Sequence, residues 1–137
     1  MIKSAGWLII FFGAAHTLGA LTVKQAALHA GSWFTGALWY DDLASMSPAN
    51  SAYWFSLASF GPPLIVVGAT VLWMHSKRIT PPSFIAWALG AWTLVGAVVL
   101  LRTPWPILLV ATVLLLTGIQ RARREGPVES AATAQAG

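Results

Sequence analysis

The sequence predicts an all-α fold: a four-transmembrane-helix bundle, up-down-up-down, with a long, partly helical outer loop between helices 1 and 2. Three observations predict it. Apolar residues make up 57% of the 137 and charged residues only 9%, against roughly 25% charged in soluble domains. The apolar residues gather into four runs without formal charge, each near the 20 or so residues that a helix needs to cross a bilayer. The bases are also asymmetric: Lys3, Lys77, Arg78, Arg121, Arg123 and Arg124 fall on one side, Lys24 and Arg102 on the other. Basic residues stay in the cytoplasm, so both termini and the middle loop are expected there.

The first span is Ser4 to Val23, preceded by Lys3. A secretory signal opens in the same way, but this run is longer than a usual signal core and no small-x-small cleavage site follows, so a retained helix is expected. The loop from Lys24 to Ser51 is too long for a plain hairpin. It begins with helix formers, Lys24 to His29, and continues with Trp33, Phe34, Leu38, Trp39 and Tyr40. That pattern predicts a partly helical segment lying in the outer interface with its aromatics toward the lipid. The second span is expected at Ala52 to Met74, after the breaker cluster Ser47-Pro48-Ala49-Asn50. The uncharged run from Ile79 to Leu101 contains the third, opening after Pro81-Pro82, proline being tolerated in a first helical turn. The fourth, Thr103 to Gln120, follows it so closely that the two must be antiparallel neighbours. Residues 1–124 thus form the transmembrane domain, and 125–137, rich in Ala, Gln, Ser, Thr and Gly, are expected as a disordered cytoplasmic tail. The tryptophans agree with this topology: Trp7, Trp73 and Trp87 fall toward the inner interface, and Trp33, Trp39, Trp54 and Trp105 toward the outer one. The protein is therefore expected in the plasma membrane as a multi-pass chain.

Composition also excludes. Four acids and eight bases leave a charge of +4, which these positions assign to topology rather than to nucleic acid. With no cysteine, disulfides, thiol catalysis and thiolate metal sites are ruled out. His-Glu-x-x-His, Gly-x-Ser-x-Gly, P-loop and dinucleotide glycine patterns are all missing. No metal site is expected.

The chemistry-bearing residues cluster at one depth. His16 is the ionisable group within the first span, roughly 20 Å along the helix from Lys3 and so in the outer half. An ionisable side chain at that depth must face a bundle interior or a wet cavity. The loop adds Asp41 and Asp42 on the same side, Arg102 ends the third span there, and the second span enters with Tyr53-Trp54-Phe55-Ser56, Ser59 standing one turn below Ser56. Gly61-Pro62-Pro63 must disturb that span, because two prolines remove two donors. Two uses of these residues stay open. In one, His16 bonds Ser56 or Ser59 as interhelical glue, or helps to bind a lipophilic small molecule against Tyr53, Trp54, Ser56, Ser59 and Arg102. In the other, His16 with Asp41 or Asp42 is an acid–base pair acting on a terpenoid, sterol or quinone-like substrate. A small carrier or accessory subunit is a further alternative. No cofactor is required, although a histidine inside a span is also what haem ligation by His16 would use. The lipid bilayer is the expected surrounding partner, and Gly/Ala faces such as Gly13/Ala20, Gly61/Gly68 and Gly90/Ala97 allow self-association.

The Gly13-x-x-His16 step, the long outer loop and Tyr53-Trp54-Phe55 together resemble a family of small bacterial four-helix integral membrane proteins known as a domain of unknown function. The resemblance covers most of residues 1 to 124. It implies the four-span architecture and no activity. Small multidrug transporters also have four short spans, but they carry a carboxylate in the first helix where this chain has His16.

The topology is testable because the chain has no native cysteine. In intact cells an impermeant thiol reagent should label Ser32→Cys and miss Gln135→Cys. Labelling of Gln135→Cys without Ser32→Cys would invert it.

Overall fold

The computed structural model describes residues 1–42, 44–99 and 104–135, with side chains described as far as Arg124. Among them all regular structure is helical: α1 (Ile2–Thr22), a 3-10 turn (Ala26–His29), α2 (Ala30–Phe34), α3 (Pro48–Phe55), α4 (Gly61–Ser76), α5 (Ser83–Val99) and α6 (Trp105–Gln135). The expected all-α class therefore holds. Two helices, α1 and the Trp105–Arg124 part of α6, are long and apolar enough to cross a membrane.

The chain divides into two compact units, one made of Met1–Ile9 with Val67–Gly137 and the other of Ile10–Val66. The first has a close-packed core of Ile2, Ala5, Val71, Ala86, Leu115 and Ile119. Within it α5 and α6 run antiparallel, as their short connection requires. Ala86 shares the core with Leu115 and Ile119, a Cβ on Gly90 would lie 2.9 Å from Thr112 Cγ2, and Arg123 reaches Ser83 Oγ at 3.4 Å. The buried hydroxyls of Thr93 and Thr112 donate to the carbonyls of Leu89 and Leu108, one turn back. Each thus solves its burial within its own helix. Gly6 provides the close approach of α1 to α4 in this unit, a Cβ there lying 2.8 Å from Leu72 and 3.2 Å from the Gly68 carbonyl. The backbone of α6 stays helical to Gln135, beyond Arg124, where composition predicts the tail.

The second unit contains the principal departure from expectation. The span predicted as one helix from Ala52 to Met74 is two helices, α3 and α4, separated by an irregular stretch at residues 56–60. Pro62 and Pro63 do not kink the interior of a helix. They occupy the first turn of α4, where missing donors cost least. The break lies upstream of them and its carbonyls are served by serines: Ser56 Oγ donates to Ala52 O at 2.6 Å, and Ser59 Oγ donates to Ser56 O at 2.7 Å. The Gly61 amide donates back to Ser59 Oγ.

The loop is partly helical, as predicted, through the 3-10 turn and α2. Its aromatics differ in role, however. Trp33 turns toward α3, donating from Nε1 to Ala49 O at 3.0 Å and meeting the Tyr53 ring edge-on at 5.8 Å. Phe34, Trp39 and Tyr40 stay exposed. Ser47 caps α3, its Oγ accepting from the Asn50 amide, and Pro48 follows in the first turn. Asp41 ties the loop to this cap, accepting from Ser47 Oγ at 2.6 Å and Ser47 N at 3.2 Å. The Ser47 hydroxyl holds the Asp41 carboxyl below its usual 3.8, helped by the Ser47 amide and by Asn50.

Because the folded value is depressed, the stabilisation from Asp41 is complete above pH 3.8 and is lost as pH falls through the folded value. Ser47→Ala removes the principal donor, so the Asp41 titration followed by carboxyl NMR should move up toward 3.8. An unmoved midpoint would show that Ser47 does not set it.

Candidate functional site

The site is built around α1 from Gly13 to Thr17 and the start of α4. Gly13 and Gly61 meet backbone to backbone. A Cβ on Gly13 would lie 2.5 Å from the Gly61 carbonyl and 3.1 Å from Leu64 Cβ. A Cβ on Gly61 would collide with Thr17 Oγ1 and approach Gly13 O to 2.8 Å. The paired glycines bring two helix backbones together, as small residues do at membrane helix interfaces.

This approach determines the setting of His16. Its ring lies 4.0 Å, centroid to centroid, from the Phe60 ring, tilted by 34°, and 5.6 Å from Phe55 in an edge-on arrangement at 67°. Phe60 also stacks on Phe12 at 6.2 Å. His16 Cδ2 would be 3.4 Å from a Cβ on Gly61, so the imidazole and the Thr17 hydroxyl both flank that glycine. His16 Nε2 and Thr17 Oγ1 are buried and have no hydrogen-bond partner among the described residues. A buried donor or acceptor left unpaired costs about 1–3 kcal/mol, so two of them at one glycine are conspicuous. Both groups can donate or accept a hydrogen bond.

The other predicted site residues are placed elsewhere or spent locally. Ser56 is fully buried, but its hydroxyl and that of Ser59 are committed to the α3–α4 break. The described serine bonds therefore do not include the interhelical bond to His16 that the sequence left open. Asp41 serves the α3 cap, and Asp42 Oδ1 accepts from the Ala44 amide at 2.9 Å. Tyr53 packs on Trp33, and Trp54 is half exposed. Arg102 lies outside the described residues. No group of three or more His, Cys, Asp and Glu that could hold a metal ion occurs among the described residues.

Thr17, Phe12, Phe55 and Phe60 are the participants that sequence reasoning missed. Thr17 carried a signal, since a hydroxyl next to His16 in an apolar span has to find or await a partner. The phenylalanines carried none, being ordinary residues in a chain that is 12% aromatic.

Gly61→Ala should lower the thermal stability of the purified protein by an amount equivalent to about 1–3 kcal/mol, the range for overpacking. Gly19 is the internal control, because a Cβ there meets nothing within 4 Å. Gly19→Ala should be neutral or stabilising. Equal effects of the two would remove the close approach as a structural determinant.

The chain belongs to the Family of unknown function (DUF6463), whose model matches residues 1–130. No curated protein and no solved structure matches it.

Proposed function

We propose that this member of a family of unknown function is a small integral membrane protein with four spans, which binds a lipophilic small molecule carrying a hydroxyl or carbonyl head. The observation that carries the proposal is the pair of unpartnered buried atoms, His16 Nε2 and Thr17 Oγ1, beside the rings of Phe55 and Phe60. Binding sites of this class are mostly apolar, with a few placed polar atoms that orient the ligand. Here the head would complete the hydrogen bonds of the notch and the hydrocarbon body would lie along aromatic faces. Phe55 is 50% exposed and Phe60 36%.

Several features support the membrane setting. Only 28% of the apolar window of α1 and 33% of that of α6 is buried, whereas the core helix of a soluble protein would be mostly covered. Trp7, Phe11, Leu18, Val66, Phe84, Trp87 and Val98 are all exposed, and hydrocarbon is the solvent that tolerates such a surface. On this reading α4 and α5 are the second and third spans. The 16 residues of α4 rise about 24 Å, short of the ~30 Å hydrocarbon core. The serine-satisfied stretch above it, with Leu57 and Phe60, makes up the remainder. Orientation follows from the basic residues, with both termini cytoplasmic.

The test uses the full chain in lipid nanodiscs with a diazirine-bearing farnesol as photoprobe. Labelling should map to the Phe55–Phe60 segment and be displaced by excess unlabelled geranylgeraniol. The double variant His16→Leu/Thr17→Val should lose about tenfold or more of the labelling. It should also melt no lower than the wild type, because replacing unpaired buried polar groups by apolar ones is neutral or stabilising. Unchanged labelling would overturn the binding site, and a large loss of stability would show that the two groups are already bonded in the empty protein.

A further inference from the structure

A second polar feature lies in the other compact unit, among the residues that topology assigns to the cytoplasmic side. A hollow of about 410 Å³ is lined by Arg78, Arg121, His75, Thr80, Ile2 and Gly118, among others. A smaller one of about 200 Å³ is lined by Arg121 again, with Arg124, Gln120 and Thr117. Arg121 and Met1 line both, so the two hollows adjoin and count as one basic recess. The floor is apolar. Gly118 lets α1 approach closely, since a Cβ there would lie 2.7 Å from Ile2 Cγ1, and Ile2 is buried.

No acid among the described side chains lines either hollow. Of the four acids in the chain, Asp41 and Asp42 belong to the other unit, and the side chains of Glu125 and Glu129 are outside the described ones. Arg123 donates to Ser83. The side chains of Arg78, Arg121 and Arg124 have no hydrogen-bond or ion-pair partner among the described residues. The backbone adds a second observation. Arg78 sits at φ 58, just past the end of α4, where its amide donates to His75 O and the Ile79 amide to Met74 O. That left-handed position normally takes glycine. An arginine is kept there against the backbone preference, with its side chain on the hollow.

We propose that this recess binds a phosphate group, offered by the headgroup of an anionic phospholipid or by free phosphate. Guanidinium groups match phosphate oxygens in forked pairs, and Thr80 and Gln120 add neutral polar groups at the walls. The apolar lining supplied by buried Ile2 and exposed Ile79 favours the lipid, whose glycerol and first methylenes would cover it. Basic recesses between helices at the cytoplasmic face are where anionic headgroups collect. The site does not depend on the His16 notch. Only the choice of lipid over free phosphate rests on the membrane reading.

Native mass spectrometry of the full chain in detergent tests the proposal, with phosphatidylglycerol, phosphatidylcholine and inorganic phosphate offered separately at constant ionic strength. The wild type should retain phosphatidylglycerol and not phosphatidylcholine. Arg78→Gly/Arg121→Gln should reduce the retained fraction about tenfold or more. Arg78→Gly alone should also weaken retention while leaving the melting temperature equal or higher, because glycine suits the left-handed backbone. That separates lost binding from lost folding. Arg123→Gln removes the same charge outside the recess and should change retention less than about twofold. Saturable binding of inorganic phosphate alone, lost in the double variant, would assign the site to free phosphate. An equal loss in Arg123→Gln, or no binding of either anion, would overturn the proposal.

Discussion

The second unit depends on the meeting of Gly13 with Gly61. Neither position has room for a Cβ, so the backbones of α1 and α4 stand closer than larger residues allow. Closeness of that kind is useful in an apolar medium, where helices gain little from excluding water and must gain from contact. It has a polar consequence. Thr17 and His16 follow Gly13 on α1, and the approach presses both against Gly61. Their buried heteroatoms are thereby cut off from solvent without receiving a partner. The polar notch is thus a direct result of the tight helix contact.

Backbone accounting explains the neighbourhood of the notch. A chain this apolar has few polar side chains to spare, and those at the α3–α4 break are used on main-chain groups. Ser56 Oγ adds a second donor to the Ala52 carbonyl, which keeps its amide partner, and Ser59 Oγ donates to the Ser56 carbonyl. At the start of α3 Ser47 Oγ accepts from the Asn50 amide, and Asp41 accepts from the Ser47 hydroxyl and amide. Once these four are committed, His16 Nε2 and Thr17 Oγ1 stand out because neither has a hydrogen-bond partner among the described residues. Phe12, Phe55 and Phe60 then give the notch aromatic walls, which suits a ligand that is mostly hydrocarbon with a small polar head.

The basic recess follows another logic. Its arginines are exposed, and charge at a membrane surface is inexpensive while its stem can cover apolar surface. What distinguishes it from a merely solvated cluster is shape together with Arg78, held in a backbone conformation that glycine would adopt more readily. Topology-determining bases and an anion-binding recess need not be separate features. The positive charge that orients a chain in the bilayer also collects the phosphates of that leaflet.

Much was legible from residue order alone. The helical class, the proline-opened start of α5 and the antiparallel α5–α6 pair come from local patterns of apolar length, breakers and charge; the separate helix that opens on Pro62 and Pro63 does not. These are properties of a chain against its solvent, and one dimension carries them. The tertiary structure decided which polar groups were already spent. Asp41, Ser56 and Ser59 looked like site residues because their types can do chemistry, yet Asp41 is engaged by the Ser47 hydroxyl and amide, and Ser56 and Ser59 by main-chain groups nearby. Phe55 and Phe60 carried no signal in the sequence, yet they meet His16. Sequence determined which side chains could be reactive. Only the fold determined which of them lacked a partner, because hydrogen-bond satisfaction depends on distances between segments that composition and spacing do not encode.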